Sequence, residues 1–293
     1  MKRLWVVGGM FVMAGMAFGG PEDLVATRTI PEAEKFVTQG AASYGDIWIQ
    51  GSSTRNGEKG MPAAAYDLKA GKKLGEFYLP MGGRGDVHCN AMCFGVEKPD
   101  GANLPYLYVS QWNRGRNCFV YEVANDFRSV KIRQVIDPAG LTAGNRFGAG
   151  PADWAVDRQN GWLYAISYKV ASPIKEEGNT QIVTKFKLPK IADGEVVKLK
   201  DSDVLDSFEA GRLLVRQDCV LHSGKLYVLY GSTKRYAKYL ALQTIDLAAR
   251  KETGVIDLKW KNEEPESINI FDGKLLVRFL CRRTLYAVQP IQP

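Results

Sequence analysis

The chain has 293 residues, of which 45% are hydrophobic and 24% charged, and its formal net charge is +7. This length is enough for one large all-β domain or two small ones. The basic side chains are scattered rather than clustered, which indicates a mildly basic solvated surface and gives no reason to expect a specific nucleic-acid partner.

The N-terminus has the pattern of a secretory signal peptide. Lys2 and Arg3 precede an apolar run from Leu4 to Phe18, and small residues follow it. The run is shorter than the roughly 20 residues of a spanning helix, and no later segment is apolar enough to cross a membrane. We therefore expect a signal peptide at 1–20 and a monomeric mature protein at 21–293, located in the periplasm or outside the cell.

A short motif recurs five times along the remainder of the chain. In each copy a polar or glycine-containing turn leads directly into an apolar, alternating strand, and the copies are spaced as propeller blades are. Gly and Pro recur every few residues and no long stretch has helical periodicity, which favours an all-β fold. The five copies begin at Gly45, Leu104, Asn160, Ser223 and Asp272.

These signals predict a single five-bladed β-propeller. The blades run from Gln39 to Leu79, His88 to Ile136, Trp154 to Phe208, Asp218 to Leu258 and Ser267 to Val288. The last blade is one strand short, while the apolar run Leu24–Ile30 has no partner in the first blade. We therefore expect this N-terminal strand to complete the last blade, which closes the ring and removes an exposed edge.

The cysteines predict buried thiols rather than a disulfide or metal framework. The five are Cys89, Cys93, Cys118, Cys219 and Cys281, an odd number that leaves at least one unpaired. Cys89 and Cys93 are four apart on one predicted strand, roughly 13 Å at strand rise and too far to bridge. All five have apolar strand neighbours, and no spacing suits structural zinc.

A polar residue stands at or just before the start of every predicted inner strand. Inner strands line the channel of a propeller, so these side chains should converge at one mouth of the channel and form a ligand site. The alternative is that they only satisfy one another inside a polar channel. The candidate ligand-binding residues are Gln39, His88, Asn90, Asp153, Trp154, Gln217, Asp218, Glu264 and Glu266.

Part of this pattern resembles a known family. The stretches Gln39-Gly40, His88-x-Asn90, Gln217-Asp218 and Glu264-Pro265-Glu266-Ser267-Ile268 are similar to those of secreted five-bladed propellers related to helveticin J. The resemblance covers most of the mature chain. It implies the propeller fold and a cell-surface or polymer-binding role, and it supplies no catalytic mechanism.

Two functions are compatible with the polar residues. The first is an exported binding protein for a carbohydrate or cell-surface polymer, with Trp112, Phe147 and Trp154 as aromatic surfaces for a sugar ring. The second is a glycosidase-like hydrolase or lyase that uses the carboxylates and His88. Two carboxylates roughly 5–10 Å apart in an open pocket would favour the enzyme, whereas carboxylates bound by Arg or Gln would not.

No cofactor is required by either hypothesis. An oxygen-rich Ca²⁺ site built from Asp153, Asp218, Glu264 and Glu266 is chemically reasonable, because hard cations take carboxylate ligands. The chain has only two histidines, and His222 follows a strand in a Ser-Gly turn, so a metal site built on imidazoles is not expected.

Overall fold

The computed structural model describes residues 23–30, 38–53, 59–81, 89–111, 115–142, 146–170, 179–211, 215–231, 240–280 and 282–289. The predicted signal peptide, His88, Trp112 and Cys281 lie outside these residues. Within them, no helix is both long and apolar enough to cross a membrane.

The described strands form five sheets, antiparallel except for one parallel pair in blade II, that are arranged as the blades of a propeller, which confirms the predicted fold. Blade I contains β2 (Thr38–Tyr44), β3 (Ile47–Ser52), β4 (Met61–Asp67) and β5 (Lys72–Leu79). Blade II contains β6 (Cys89–Phe94), β7 (Leu107–Gln111), β8 (Cys118–Val123) and β9 (Val130–Gly140).

The other three blades repeat this order from the axis outward. Blade III contains β10 (Ala149–Asp157), β11 (Trp162–Tyr168), β12 (Gln181–Lys187) and β14 (Val204–Ala210). Blade IV contains β15 (Arg216–His222), β16 (Lys225–Tyr230), β17 (Ala241–Asp246) and β18 (Lys251–Asp257). Blade V contains β19 (Pro265–Phe271), β20 (Lys274–Phe279) and β21 (Thr284–Val288), and is completed by β1 (Leu24–Thr29).

The turn motif of the sequence forms tight hairpins in the structure. In blade IV, His222 pairs with Lys225 across the two-residue turn Ser223-Gly224, and both turn residues have positive φ angles of 49° and 73°. Blade V has the same arrangement at Asp272-Gly273. Two residues with positive φ are what a type I′ turn requires, and its twist matches that of the flanking strands.

Blade V is closed by the N-terminal strand, as predicted. β1 pairs antiparallel with β21, from Leu24 opposite Val288 to Thr29 opposite Thr284. Leu24 is buried in the core shared by blades IV and V. The two ends of the described chain therefore support each other in one sheet.

Blade II has a fifth strand that the sequence did not predict. β13 (Val196–Lys200) pairs parallel with β9, although the chain around it belongs to blade III. The buried amide of Gln134 supports the connection, because its Nε2 donates to the carbonyl oxygens of Lys190 at 2.7 Å and Gly194 at 3.0 Å. This strand ties blades II and III together at the rim.

The hydrophobic core lies between the blades. Each of the five clusters of buried residues joins neighbouring blades, for example Trp48 and Tyr66 of blade I with Leu276 and Leu285 of blade V. Every blade is therefore stabilised by burial against both neighbours, and ring closure completes the fifth cluster.

The thiols agree with the prediction for the four cysteines that the structure describes. All four are free; Cys89, Cys118 and Cys219 are buried and Cys93 is half-buried. Burial raises the pKa of each thiol, to about 12 for Cys93. Such thiols are held in the neutral, unreactive form.

Candidate functional site

The five inner strands, β2, β6, β10, β15 and β19, contact one another around the axis. In each of them the pairing register with the next strand shifts close to the start of the strand. Such irregularities change the direction of side chains and are common next to active sites. The shifts lie between Thr38 and Ala41, Cys89 and Met92, Ala149 and Asp153, Arg216 and Asp218, and Pro265 and Ser267.

Four of the five irregularities hold a polar side chain that the sequence analysis had selected. These are Gln39, Asn90, Gln217 and Glu266, which we name the bulge ring. All four are buried, with exposed fractions of 7%, 1%, 8% and 2%. Blade III instead has the stretch 150–152, Gly-Pro-Ala, at this position. The bulge ring lies at the mouth where the inner strands begin, which we call the upper mouth.

Hydrogen bonds connect the bulge ring across blades. The Gln39 amide donates from Nε2 to Glu266 Oε2 at 3.3 Å, joining blades I and V. Gln217 Nε2 donates to the half-buried Glu264 at Oε1, 2.7 Å away, and so joins blades IV and V. Asn90 Nδ2 donates to the carbonyl oxygen of Arg216 at 2.8 Å. The structure thus brings together these sequence-predicted residues from four blades.

Two acceptor atoms in the bulge ring have no hydrogen-bond partner among the residues that the structure describes. They are Gln39 Oε1 and Asn90 Oδ1, both buried. The orientation of each amide is fixed by its NH₂ group. Gln39 Nε2 bonds to a carboxylate and Asn90 Nδ2 to a carbonyl oxygen, and both of these partners can only accept. A buried polar atom left unpaired costs about 1–3 kcal/mol, so both positions favour a ligand that donates.

Asp218 lies deeper in the channel and is fully buried. Its Oδ2 accepts from the backbone N–H groups of Ala41 at 3.2 Å and Ile268 at 2.9 Å, and its Oδ1 accepts from Cys219 N–H at 2.7 Å. Burial raises the pKa of this carboxyl well above its usual value, although the backbone N–H groups oppose the shift. Asp218 therefore holds blades I, IV and V together.

Asp153 is bound by a buried arginine that the sequence analysis missed. Arg216 Nε donates to Asp153 Oδ2 at 2.6 Å, and both side chains are almost completely buried. Arg216 also donates to Gln181 Oε1 and to the Pro151 carbonyl oxygen, and its guanidinium lies 4.1 Å from the ring centroid of Tyr168. The available signal was its place directly before Gln217-Asp218, in the register of the polar ring.

Trp154 and Phe147 lie away from the channel, contrary to their proposed role as sugar-stacking surfaces. Trp154 follows Asp153 on β10 and so points to the opposite side of the sheet. Its ring centroid is 6.1 Å from those of both Phe147 and Phe186, and its Nε1 donates to the Arg116 carbonyl oxygen at 2.9 Å. All three rings belong to the core between blades II and III.

The carboxylate set proposed for Ca²⁺ does not fit a hard cation well. Asp153 is neutralised by Arg216, and the raised pKa of Asp218 favours its protonated form. Across the described part of the chain, no three His, Cys, Asp or Glu side chains are placed to hold a metal ion. The engagement of Asp153 also disfavours a glycosidase site built on that carboxylate.

A second cavity lies at the opposite, lower mouth, where the inner strands end. Its volume is about 560 Å³, and residues of all five blades line it. They include Tyr44, Phe94, Arg158, His222 and Asn269. Sequence reasoning missed this cavity because it considered only the starts of the inner strands.

Comparison with known proteins supports the fold and leaves the family open. No protein-family model matches the chain, and no curated protein sequence matches it. A similar solved structure is the glutaminyl cyclase of Myxococcus xanthus, with a TM-score of 0.54 and 14% sequence identity. The match covers 91% of this chain and 95% of that one. At this identity the likeness shows a shared fold, and the resemblance to helveticin J-like propellers stays a prediction.

Proposed function

We propose that the protein is an exported binding protein whose bulge ring recognises a ligand that presents N–H donors, such as a primary amine. The observation that carries this proposal is a pair of buried acceptors, Gln39 Oε1 and Asn90 Oδ1, that no described part of the chain bonds to. An ammonium group offers three donors and no acceptor, which complements these atoms.

The charge of the ring favours the same ligand class. Glu266 belongs to the ring and Glu264 hydrogen-bonds to it through Gln217. Hydrogen bonds between ionised partners are roughly twice as strong as neutral ones, so an amine gains more here than a hydroxyl. An amino sugar of a cell-surface polymer has this chemistry and is the ligand we propose.

The test is calorimetric titration with a trimer of glucosamine, using the N-acetylglucosamine trimer as the matched control. The amine form should bind and the acetylated form should bind at least about tenfold more weakly, since acetylation removes the charge. Gln39→Ala and Glu266→Gln should weaken binding of the amine form while the variants stay folded. Equal binding of the two trimers, or binding that neither variant changes, would contradict the proposal.

A second candidate is cyclisation of an N-terminal glutamine, the reaction after which the similar Myxococcus xanthus enzyme is named. It is favoured by a fold likeness over nearly the whole of both chains and by a carboxylate, Glu266, bonded to an amide in the ring. The free α-amine would attack the side-chain carboxamide carbon, form the ring C–N bond and release ammonia. Glu266 would accept the proton of the attacking amine and return it to the leaving nitrogen.

Ammonia release from peptides that begin with glutamine distinguishes this enzyme from the binding protein. N-terminally acetylated copies of the same peptides are the control, because they lack the free amine. Turnover that Glu266→Gln abolishes would support the enzyme. Amine binding without any ammonia release would leave ligand binding as the function of this site.

A further inference from the structure

We propose that the cavity at the lower mouth is a second ligand site, and that it takes a neutral polyhydroxylated molecule of disaccharide size. Its volume of about 560 Å³ lies within the range of about 300–1,000 Å³ for small-molecule sites. Gln39 and Tyr44 lie five residues apart on β2, so roughly 17 Å separates the two mouths. This site is thus distinct from the bulge ring and adds to the function proposed there.

The floor of the cavity is already ordered by hydrogen bonds. Asn269 is 5% exposed and donates from Nδ2 to the Ala41 carbonyl oxygen at 2.8 Å. Its Oδ1 accepts from Ser43 Oγ at 2.7 Å and from Ile270 N–H at 3.0 Å. These bonds connect blades I and V, so a ligand would meet a surface that needs little rearrangement.

The walls combine flat apolar area with a fixed cation. The rings of Tyr44 and Phe94 pack at a centroid distance of 5.8 Å. The guanidinium of Arg158 lies 4.8 Å from the Tyr44 centroid, and its Nε donates to the Gly95 carbonyl oxygen at 3.1 Å. Blades I, II and III are held together by these contacts, and polar and apolar surface lie side by side, as sugar rings require.

The rim offers both acceptors and donors that the described chain does not use. Five side chains that line the cavity form no hydrogen bond with another described residue. They are the half-buried His222 and the turn residues Asp46, Gln159, Ser223 and Asp272. Carboxylates accept, whereas the Gln159 amide, the Ser223 hydroxyl and the imidazole can also donate. Hydroxyl groups do both, which matches this mixture.

The cavity presents charges of both signs. The carboxylates of Asp46, Asp157 and Asp272 line it together with the guanidinium of Arg158, so an anion would meet the carboxylates and a cation would meet Arg158. A neutral ligand avoids both repulsions and can bond to each group. This reasoning also separates the lower cavity from the bulge ring, for which we propose an amine.

The test is titration of the full mature protein with maltose, cellobiose and lactose, followed by calorimetry or ligand-observed NMR. At least one of these disaccharides should bind in roughly the millimolar range or tighter. The double substitution Asp46→Asn with Asp272→Asn should weaken binding at least about tenfold. Asp100→Asn, an exposed turn aspartate outside the cavity, and Gln39→Ala in the bulge ring should leave it unchanged.

The outcomes separate this site from the upper one. Absence of binding by all three disaccharides would overturn the proposal. So would binding that Gln39→Ala weakens and the rim double variant does not. Melting curves establish whether each variant is folded. If the double aspartate variant is not folded, a second rim variant, Ser223→Ala with Gln159→Ala, replaces it.

Discussion

Arg216 places a positive charge in the buried contact between blades III and IV, and its partners there compensate for that charge. The guanidinium is bound by the Asp153 carboxylate, by two oxygen acceptors and by the face of Tyr168. A buried ion pair contributes little net stability, but removing one partner leaves the other charge unpaired. Arg216 and Asp153 should therefore tolerate replacement together far better than replacement of either one alone.

The substitution Arg216→Met tests this pair. We expect a loss of about 3–5 kcal/mol in the free energy of unfolding, because Asp153 would stay buried without its cation. The matched control is Lys169→Met, which breaks the exposed pair of Lys169 and Glu209 and should cost less than about 1 kcal/mol. Urea denaturation measures both, and equal losses would contradict this interpretation of Arg216.

Asp218 predicts a pH dependence of stability with a defined sign. Burial raises the pKa of this carboxyl in the folded state, so the folded protein holds a proton that the unfolded chain releases. The stabilisation is fully present below the unfolded pKa of about 3.9 and is lost as pH rises through the folded value. The proton-independent variant Asp218→Asn is the reference.

The measurement is urea denaturation of the wild type and Asp218→Asn at a series of pH values from acid to neutral. The free energy of unfolding of the wild type, minus that of the variant, should decrease as pH rises. A difference that increases with pH would mean that the pKa of Asp218 is lowered in the folded state, and therefore that the backbone N–H groups outweigh burial.

At the scale of single elements, strand alternation predicted most of the fold and failed where the register breaks. The motifs at Ser223-Gly224 and Asp272-Gly273 became two-residue hairpins, because two positive φ angles suit the twist of paired strands. The register breaks could not be predicted, since they depend on neighbouring blades that are distant in sequence. β13 was missed because it pairs with β9, a strand far away along the chain, and has no turn motif of its own.

The irregularity in β2 depends on Gly40. A Cβ at this position would lie 2.1 Å from the Asn90 carbonyl oxygen, so blades I and II could not approach as closely. Gly40→Ala should cost about 1–3 kcal/mol of unfolding free energy as overpacking does, and should displace Asn90 within the bulge ring. Loss of ligand binding should accompany the lower stability.

The matched control is Gly254→Ala on the outer strand β18. A Cβ there meets no heavy atom within 4 Å, and β18 is the outermost strand of blade IV. Its effect on stability should stay below about 1 kcal/mol. Thermal melting of the two variants measures both effects. Equal melting temperatures would show that the close approach of blades I and II at Gly40 does not contribute to stability.

For the whole molecule, ring closure joins the two ends of the chain. Leu24 is 6% exposed and packs in the core of blades IV and V, whereas its neighbour Val25 is 44% exposed. Leu24→Ala should cost about 2–5 kcal/mol, because it creates a cavity in that core. Val25→Ala on the same strand should change stability by less than about 1 kcal/mol. Comparable losses in the two variants would argue against β1 as a structural part of blade V.

The sequence predicted which polar side chains meet at the upper mouth, and it predicted their contacts only in part; that they bind a ligand stays a prediction. A polar residue at the start of an inner strand is visible in the sequence, which is why Gln39, Asn90, Gln217 and Glu266 were found. Glu266 and Glu264, which bond to Gln39 and Gln217, were found in the same way. The backbone partners of Asn90 and Asp218 were not, because the Arg216 carbonyl and the Ala41 N–H belong to other blades. The lower cavity was not predicted for the same reason, since residues from all five blades form it.

A crystal structure of the protein soaked with the glucosamine trimer would show whether the bulge ring binds an amine. We predict the amino group at the upper mouth, within hydrogen-bond distance of Gln39 Oε1 and Asn90 Oδ1 and close to Glu266. An amino group bound elsewhere on the molecule, with both oxygen atoms still unpartnered, would contradict it.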